Sequence, residues 1–333
     1  MSESGLLSID AARRLIEGGG YFAIAGDERA LVQLPKGNWV GGTIPYFMDR
    51  RGGRTTREEV FVTPIGISQA EPPIIRFYSL ERLPSICRNA PEHGYSLLII
   101  PGFSEAHSSF ARHAPEYPEM FLKPLIGWVS GIHLEELGQR RPKVLHGQTG
   151  QLSEEMAVVM EVPLPPEQQA IIDIVNPFEP GNGPKIVFNE NGFSAGACLI
   201  DGAQRSLAAY LTDGQFDTRL PLVANYCGAR VNVSIKAVDA ANGRVEFYAP
   251  VFPGIVYRHA APVADYLRAF NAALPRLAAA PAYSCNCVLN YLYSELEGKT
   301  TAGLTGPMTF GEIAYQLLNQ TLVYLEIRDT TAG

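Results

Sequence analysis

The stretch Gly306–Ile327, GPMTFGEIAYQLLNQTLVYLEI, decides how the chain is read. It holds two strand-like runs, Met308 to Ala314 and Thr321 to Ile327, with a short loop, Tyr315 to Leu318, between them. Thr, Phe, Ile, Val and Tyr dominate both runs, and these residues suit a pleated, half-buried surface. Gly311 removes a side chain between Thr309 and Glu312, so another group can approach the backbone there. Glu312 lies in a mostly apolar strand, where burial is costly unless a cation or donor pairs with it. A ligand ammonium is one such partner; an internal Arg205, Arg219 or Arg230 is the other.

Working outward, strand signals recur along the whole chain. Tyr21 to Ala25, Glu59 to Ile67, Ile74 to Tyr78 and Ser96 to Ile100 read as strands in the first half. Met156 to Val162, Ala170 to Val175, Lys185 to Phe188 and Phe193 to Ile200 follow, with Asn189–Gly192 as a hairpin turn. Arg230 to Val238 and Val245 to Ala249 form a second hairpin around Ala241–Arg244. Helices are fewer: Ile9 to Glu17, capped by Asp10 and stopped by Gly18–Gly20, then Ala203 to Leu211, Val263 to Leu277 and Val288 to Leu296. Pro177 to Pro184 carries three Pro and two Gly and reads as a linker. The fold expected is α+β: two strand-rich mixed halves packed together, residues 1–185 and 186–333. Short echoes between Asp10–Leu15 and Asp201–Leu207, and between Ile74–Tyr78 and Gly243–Tyr248, raise the possibility of a structural duplication.

Composition narrows the function classes. The chain has 333 residues, 46% hydrophobic and 18% charged, enough to bury roughly three quarters of its unfolded surface. Its net charge of −7 disfavours nucleic acid, whose phosphates demand a basic face. The densest basic patches, Arg50–Arg57 and Arg140–Lys143, lie among Gly, Thr and Pro and read as solvated loops. No segment approaches the ~20 apolar residues of a membrane helix, and no secretory leader is visible. Five cysteines without a framework spacing suggest reduced thiols and a cytoplasmic setting.

Several motifs invite chemistry. Gly192–Gly196 matches G-x-S-x-G, but a turn precedes it and a strand continues from it, so a glycine-bordered strand is the better reading. Six histidines, His93, His107, His113, His133, His146 and His259, form no pair at helical metal-ligand spacing. Cys285–Asn286–Cys287 places two thiols on one strand face, as buried apolar residues, as a redox pair or as a nucleophile. Zinc would need further ligands, and no glycine-rich phosphate loop opens a helix.

Gly306–Ala314 followed by Asn319–Val323 resembles the end of the FIST sensory-domain family, which closes with a T-[FY]-G-E-I strand and then an N-Q-T strand. Ser284–Cys287 is similar to that family's cysteine-containing turn, and Gly41–Thr43 to its small-residue turn in the N-terminal half. An arginine common after the cysteine turn is replaced here by Leu289–Tyr291. The resemblance implies a cytoplasmic, non-enzymatic sensor of a small ligand, an amino acid or similar, that signals through a partner protein. It assigns residues 1–185 to a FIST N-like half and 186–333 to a FIST C-like half. The expected pocket comprises Cys285, Asn286, Cys287, Thr309, Glu312 and Asn319, with Trp39 and Thr43 from the other half. No cofactor is expected in this reading. One alternative is a haem-binding sensor of nitric oxide using one of the histidines; another is an enzyme with Cys285 or Cys287 as nucleophile.

Overall fold

Ser8 caps the first helix, Ile9–Glu17, by accepting the Ala11 N–H on its hydroxyl. Asp10, expected as the cap, instead sits in the first turn, where its charge suits the helix dipole. Gly18 ends the helix, its N–H returning to the Arg14 carbonyl. The computed structural model describes residues 4–66, 71–226, 229–274, 280–301 and 303–330. Ile67, Cys227 and the Pro275–Leu277 end of the expected third helix lie outside these residues. The fold is α+β.

The chain divides into two compact units that do not coincide with the expected halves. The first comprises Met1–Ile174, Pro275–Leu317 and Leu322–Gly333; the second comprises Val175–Leu274 with Leu318–Thr321. The first crossing falls close to the linker-like stretch. The chain from Pro275 on, however, mostly rejoins the first unit. It does so because its strands supply the interior of that unit's sheets.

In the first unit one six-stranded sheet runs Gly5–Ser8, Glu59–Ile65, Tyr21–Gly26, Trp39–Thr43, Val144–His146, Gln151–Ser153. The helix Ile9–Glu17 covers it through Ala12 and Ile16, against Phe22, Ile24, Val60 and Leu145. A second sheet centres on the parallel pair Gly94–Pro101 and Leu125–Ser130, flanked by Glu312–Ala314 and Ala157–Pro163. Helix Glu105–His113, capped by Ser104, packs Phe110 and Ala106 against Leu98, Ile100, Val129 and Ile313. Fully burying side chains of this kind contributes roughly 1.5–3 kcal/mol each. A third sheet takes the order Gln168–Val175, Leu322–Asp329, Tyr283–Cys287, Gly306–Thr309, Tyr46–Asp49, Gly52–Thr55.

The run Met308 to Ala314 is therefore not one strand. Gly306–Thr309 pairs with Tyr283–Cys287, whereas Glu312–Ala314 pairs with Leu125–Ser130 in a different sheet. The chain changes sheets at Phe310–Gly311, where the Phe310 N–H donates to the Val129 carbonyl and the Gly311 carbonyl accepts from Val129.

The second unit has a six-stranded sheet, ordered Ala203–Ser206, Ala197–Ile200, Ile186–Val187, Val256–His259, Leu222–Tyr226, Ala229–Val233. A three-stranded sheet adds Gly192–Ala195, Arg244–Val251 and Ile235–Asp239. The G-x-S-x-G stretch is a strand followed by a strand, with no helix leaving it. The expected helix from Ala203 begins only at Leu207, capped by Ser206, because Ala203–Ser206 completes a hairpin with Ala197–Ile200. The proposed echoes do not reflect repeated topology. Asp10–Leu15 is helical, whereas Asp201–Leu207 is a hairpin turn and strand that reaches helix only at its last residue; Ile74–Tyr78 is a sheet edge, whereas Arg244–Val251 is central.

Candidate functional site

The C-terminal motif builds a sealed polar core in the first unit. Tyr283, Cys285 and Cys287 share one face of their strand, by the two-residue period. The Cys285 thiol donates to the Gly127 carbonyl at 3.4 Å. Thr309 stands opposite Cys287 in the parallel register, and its hydroxyl lies 3.2 Å from the Asn286 carbonyl, 3.0 Å from that of Gly311 and 3.4 Å from Glu312 Oε1. Asn286 accepts the Cys287 N–H at 2.7 Å and the Asn290 amide at 2.9 Å, so it anchors the helix Val288–Tyr293. None of Tyr283, Cys285, Asn286, Thr309 or Glu312 is more than 2% exposed. Burial, reinforced by the nearby Glu312 charge, pushes the Cys285 thiol well above its usual range, and burial does the same to the Tyr283 phenol. Beside Cys285 and Asn286 lies a packing gap too small for a water molecule.

That environment is the opposite of the one that activates a cysteine nucleophile, which needs exposure and a positive neighbour. Cys285 and Cys287 are accordingly expected to resist iodoacetamide in the native protein at neutral pH and to label only after unfolding. Mass spectrometry of the tryptic peptides reads this directly. Rapid native labelling of either thiol would show that the core opens. No disulfide joins the four described cysteines.

The other expected pocket residues are dispersed. Trp39 is a core side chain: its Nε1 donates to the Pro35 carbonyl at 3.0 Å, and its ring fills space that Gly41 and Gly147 leave open. A Cβ on Gly147 would stand 2.5 Å from the Trp39 ring, so the indole presents no free stacking face. Thr43 ends its strand, its hydroxyl accepting the Lys143 N–H at 2.9 Å. Asn319 belongs to the second unit. Its Oδ1 accepts both the N–H and the hydroxyl of Ser234, at 3.0 and 2.7 Å. It thereby pins the point where the chain passes from Ala229–Val233 to Ile235–Asp239, which lie in different sheets. Of the arginines considered for Glu312, Arg219 pairs with Asp217 and Arg230 with Glu179.

The second unit holds a cleft that the sequence did not reveal. It encloses ≈ 650 Å³ between the segments Pro180–Gly183, Gly214–Leu220 and His259–Val263. The Pro/Gly stretch read as a linker is one of its walls. Reciprocal backbone bonds from Gly181 to His259 and from Ala261 to Glu179, both 2.9 Å, zip that wall to the next. The Phe216 ring stands edge-on to His259, with centroids 4.8 Å apart. His259 donates from Nε2 to the Asp217 carbonyl at 3.1 Å, and burial lowers its pKa, so the ring is neutral. Asp217 is held ionised chiefly by the hydrogen bonds of the Arg219 side chain. Pro262, Val263, Leu220 and Ala260 add apolar wall. The available signal was Gly181–Gly183 and Gly214 flanking a lone histidine, too common a pattern to single out.

Of the histidines considered for haem, two are tied up at Nε2 and two others bond through Nδ1 instead. His146 and His259 hold backbone carbonyls through Nε2, and His113 holds the Ser109 carbonyl through Nδ1. His107 is buried and takes the Phe103 N–H on Nδ1. The expectation that the basic patches are solvated loops holds for Arg50, Arg51 and Arg141, which are exposed, and needs correction for the other cations. Arg54 pairs with Glu59, Arg57 with Glu136, and Arg140 and Lys143 both with Glu28, each cation less than 35% exposed.

Fold and geometry together define a two-unit α+β protein with a sealed polar core in one unit and an open cleft in the other. The chain belongs to DUF6976, a family of unknown function, whose profile it matches over residues 7–328. No curated protein and no solved structure matches it. No helix among the described residues is long and apolar enough to cross a membrane.

Proposed function

We propose that the chain is a non-enzymatic cytoplasmic sensor that binds a small molecule in the cleft of the second unit and signals through a partner protein. The observation that carries this reading is the cleft itself. Its ≈ 650 Å³ fits the range of small-molecule sites, and its walls are apolar with a few fixed polar groups. Asp217 and Gln215 supply the polar side chains, and Phe216 and Val263 the apolar surface. The resemblance of Gly306–Val323 to the closing strands of FIST domains supports the sensor class. The burial of Cys285 and Cys287 weighs against the enzyme alternative; for the haem alternative, the Nε2 bonds of His146 and His259 weigh against those two histidines alone.

A thermal-shift screen against amino acids, organic acids, nucleotides and haem tests the proposal. Ligand at a hundred times its dissociation constant adds about 2.7 kcal/mol to the folded state, which moves the melting point by several degrees. Val263→Trp fills the cleft and is expected to abolish the shift while leaving the unliganded melting point close to the wild type. A hit that survives Val263→Trp places the ligand elsewhere. A Soret band on haem addition would favour the gas-sensor alternative.

A further inference from the structure

A second site lies in the first unit, at the carboxyl ends of the parallel strands Tyr21–Gly26 and Trp39–Thr43. Here Glu28, on the four-residue helix Glu28–Leu31, meets Arg140 and Lys143 from the segment that follows Leu125–Ser130. Arg140 Nη2 donates to Glu28 Oε2 at 2.6 Å, and Lys143 Nζ donates to Oε1 at 2.7 Å. Each carboxylate oxygen thus has its own cation, an arrangement suited to any two-oxygen face of a carboxylate or phosphate.

The two cations are held independently of Glu28. Arg140 Nη1 also reaches Glu136 Oε2 at 3.4 Å, and Glu136 is itself fixed by Arg57 at 3.1 Å. The backbone N–H of Lys143 is bonded to Thr43 Oγ1, and its Nζ lies 3.5 Å from Glu154. The side chains of Glu28, Arg140 and Lys143 are 22%, 28% and 22% exposed, shielded yet reachable from solvent. A crevice lined by Asp27, Glu28, Thr43, Gly131 and Arg140 adjoins them, holding ≈ 10 Å³ with Glu28 in place. Burial alone would raise the Glu28 carboxyl, but the hydrogen bonds from Lys143 and Arg140 outweigh it and keep the group ionised.

We propose that Arg140 and Lys143 form a binding site for a small oxyanion, a carboxylate or a phosphate group, and that Glu28 is its built-in occupant. An incoming oxyanion displaces the Glu28 side chain into solvent and takes over both cations. Because Glu28 competes, the wild type binds more weakly than a variant whose occupant is neutral; the free fraction of the site sets the ratio.

The test is an NMR titration of labelled protein with inorganic phosphate and, separately, with succinate. In Glu28→Gln the amides of Thr43, Gly131 and Lys143 are expected to shift with an affinity at least about tenfold above that of the wild type. Adding Arg140→Met to Glu28→Gln is expected to remove the response. The tighter of the two anions identifies the class. Equal affinity in wild type and Glu28→Gln overturns the proposal, as does a response that survives Arg140→Met. Should Glu28→Gln not fold, the wild type decides: phosphate at tens of millimolar must shift the same three amides, and Lys143→Met must abolish that shift. No shift in the wild type under those conditions also overturns it.

Discussion

Gly127→Ala is expected to lower the melting point by about 10 °C or more, a loss of at least about 4 kcal/mol. Gly127 lies in Leu125–Ser130, opposite Leu98 in the parallel neighbour and Ile313 in the antiparallel one. A Cβ at this position would stand 1.7 Å from the Leu98 carbonyl oxygen and 2.7 Å from its carbon. Both are backbone atoms, so no side-chain rotation relieves the overlap. The two strands must separate, which breaks ladder bonds on both sides and withdraws the Gly127 carbonyl from the Cys285 thiol. Most proteins have only 5–15 kcal/mol in hand, so much of the stability goes. Gly66→Ala is the control: it is exposed, a Cβ there meets nothing within 4 Å, and its change should stay within about 0.5 kcal/mol. Thermal unfolding followed by circular dichroism compares the two. A Gly127→Ala protein melting within 2 °C of the wild type would mean that the Leu98–Gly127 register is wrong.

The second large effect is a loss of stability in acid traced to His107. The imidazole is buried on helix Glu105–His113, and burial lowers its pKa from 6.5 to about 4. Its Nδ1 accepts the N–H of Phe103, a residue held at φ 63° in the turn before the helix, and protonation would cancel that acceptor. Between pH 6.5 and about 4 the unfolded chain binds a proton that the folded chain refuses. Stability therefore falls as the pH drops through this window, by about 3 kcal/mol in total, and levels off below it. Denaturant midpoints at pH 7, 5.5 and 4.5 for the wild type and His107→Gln isolate the contribution, because other groups titrate equally in both. If the difference between the two proteins does not change with pH, His107 is not held neutral.

Much of the element content was legible because hydrophobic period reports local structure. Ser96 to Ile100 is apolar without interruption and lies inside Gly94–Pro101, an interior strand of its sheet. Asp239 and Arg244 close the hairpin expected at Ala241–Arg244, with Gly243 at φ 64°. Partners were not legible. Phe193 to Ile200, Arg230 to Val238 and Met308 to Ala314 each read as one strand, and each is divided between two sheets. The divisions fall at Gly196, Ser234 and Phe310–Gly311. Period-two alternation says which face a side chain takes, and not which strand lies alongside. At Ser234 the change is fixed by Asn319, 85 residues away in sequence, which no local window contains.

The same limit governed the candidate sites. The Thr309–Glu312 motif stood out because a carboxylate in an apolar strand is rare, and the structure brings Thr309, Glu312, Cys285 and Tyr283 together. Rarity of composition, however, does not separate an open pocket from a sealed core. The cleft at Phe216 and His259 and the Glu28–Arg140–Lys143 cluster are assembled from separated segments of ordinary composition. Arg140 looks solvated until Glu28, 112 residues away, is placed beside it.

The order in which the chain is synthesised gives the divided first unit a consequence of its own. Three of the four interior strands of its third sheet are Tyr283–Cys287, Gly306–Thr309 and Leu322–Asp329. When the ribosome has delivered Leu274, nearly all of the second unit has emerged as one continuous piece and is free to fold. The nascent first unit at that moment has Tyr46–Asp49 and Gln168–Val175 made but lacks everything between them in the sheet. Their backbone edges and apolar faces must wait, exposed, for residues 283–329, which makes this interval the one in which the polypeptide most needs a chaperone.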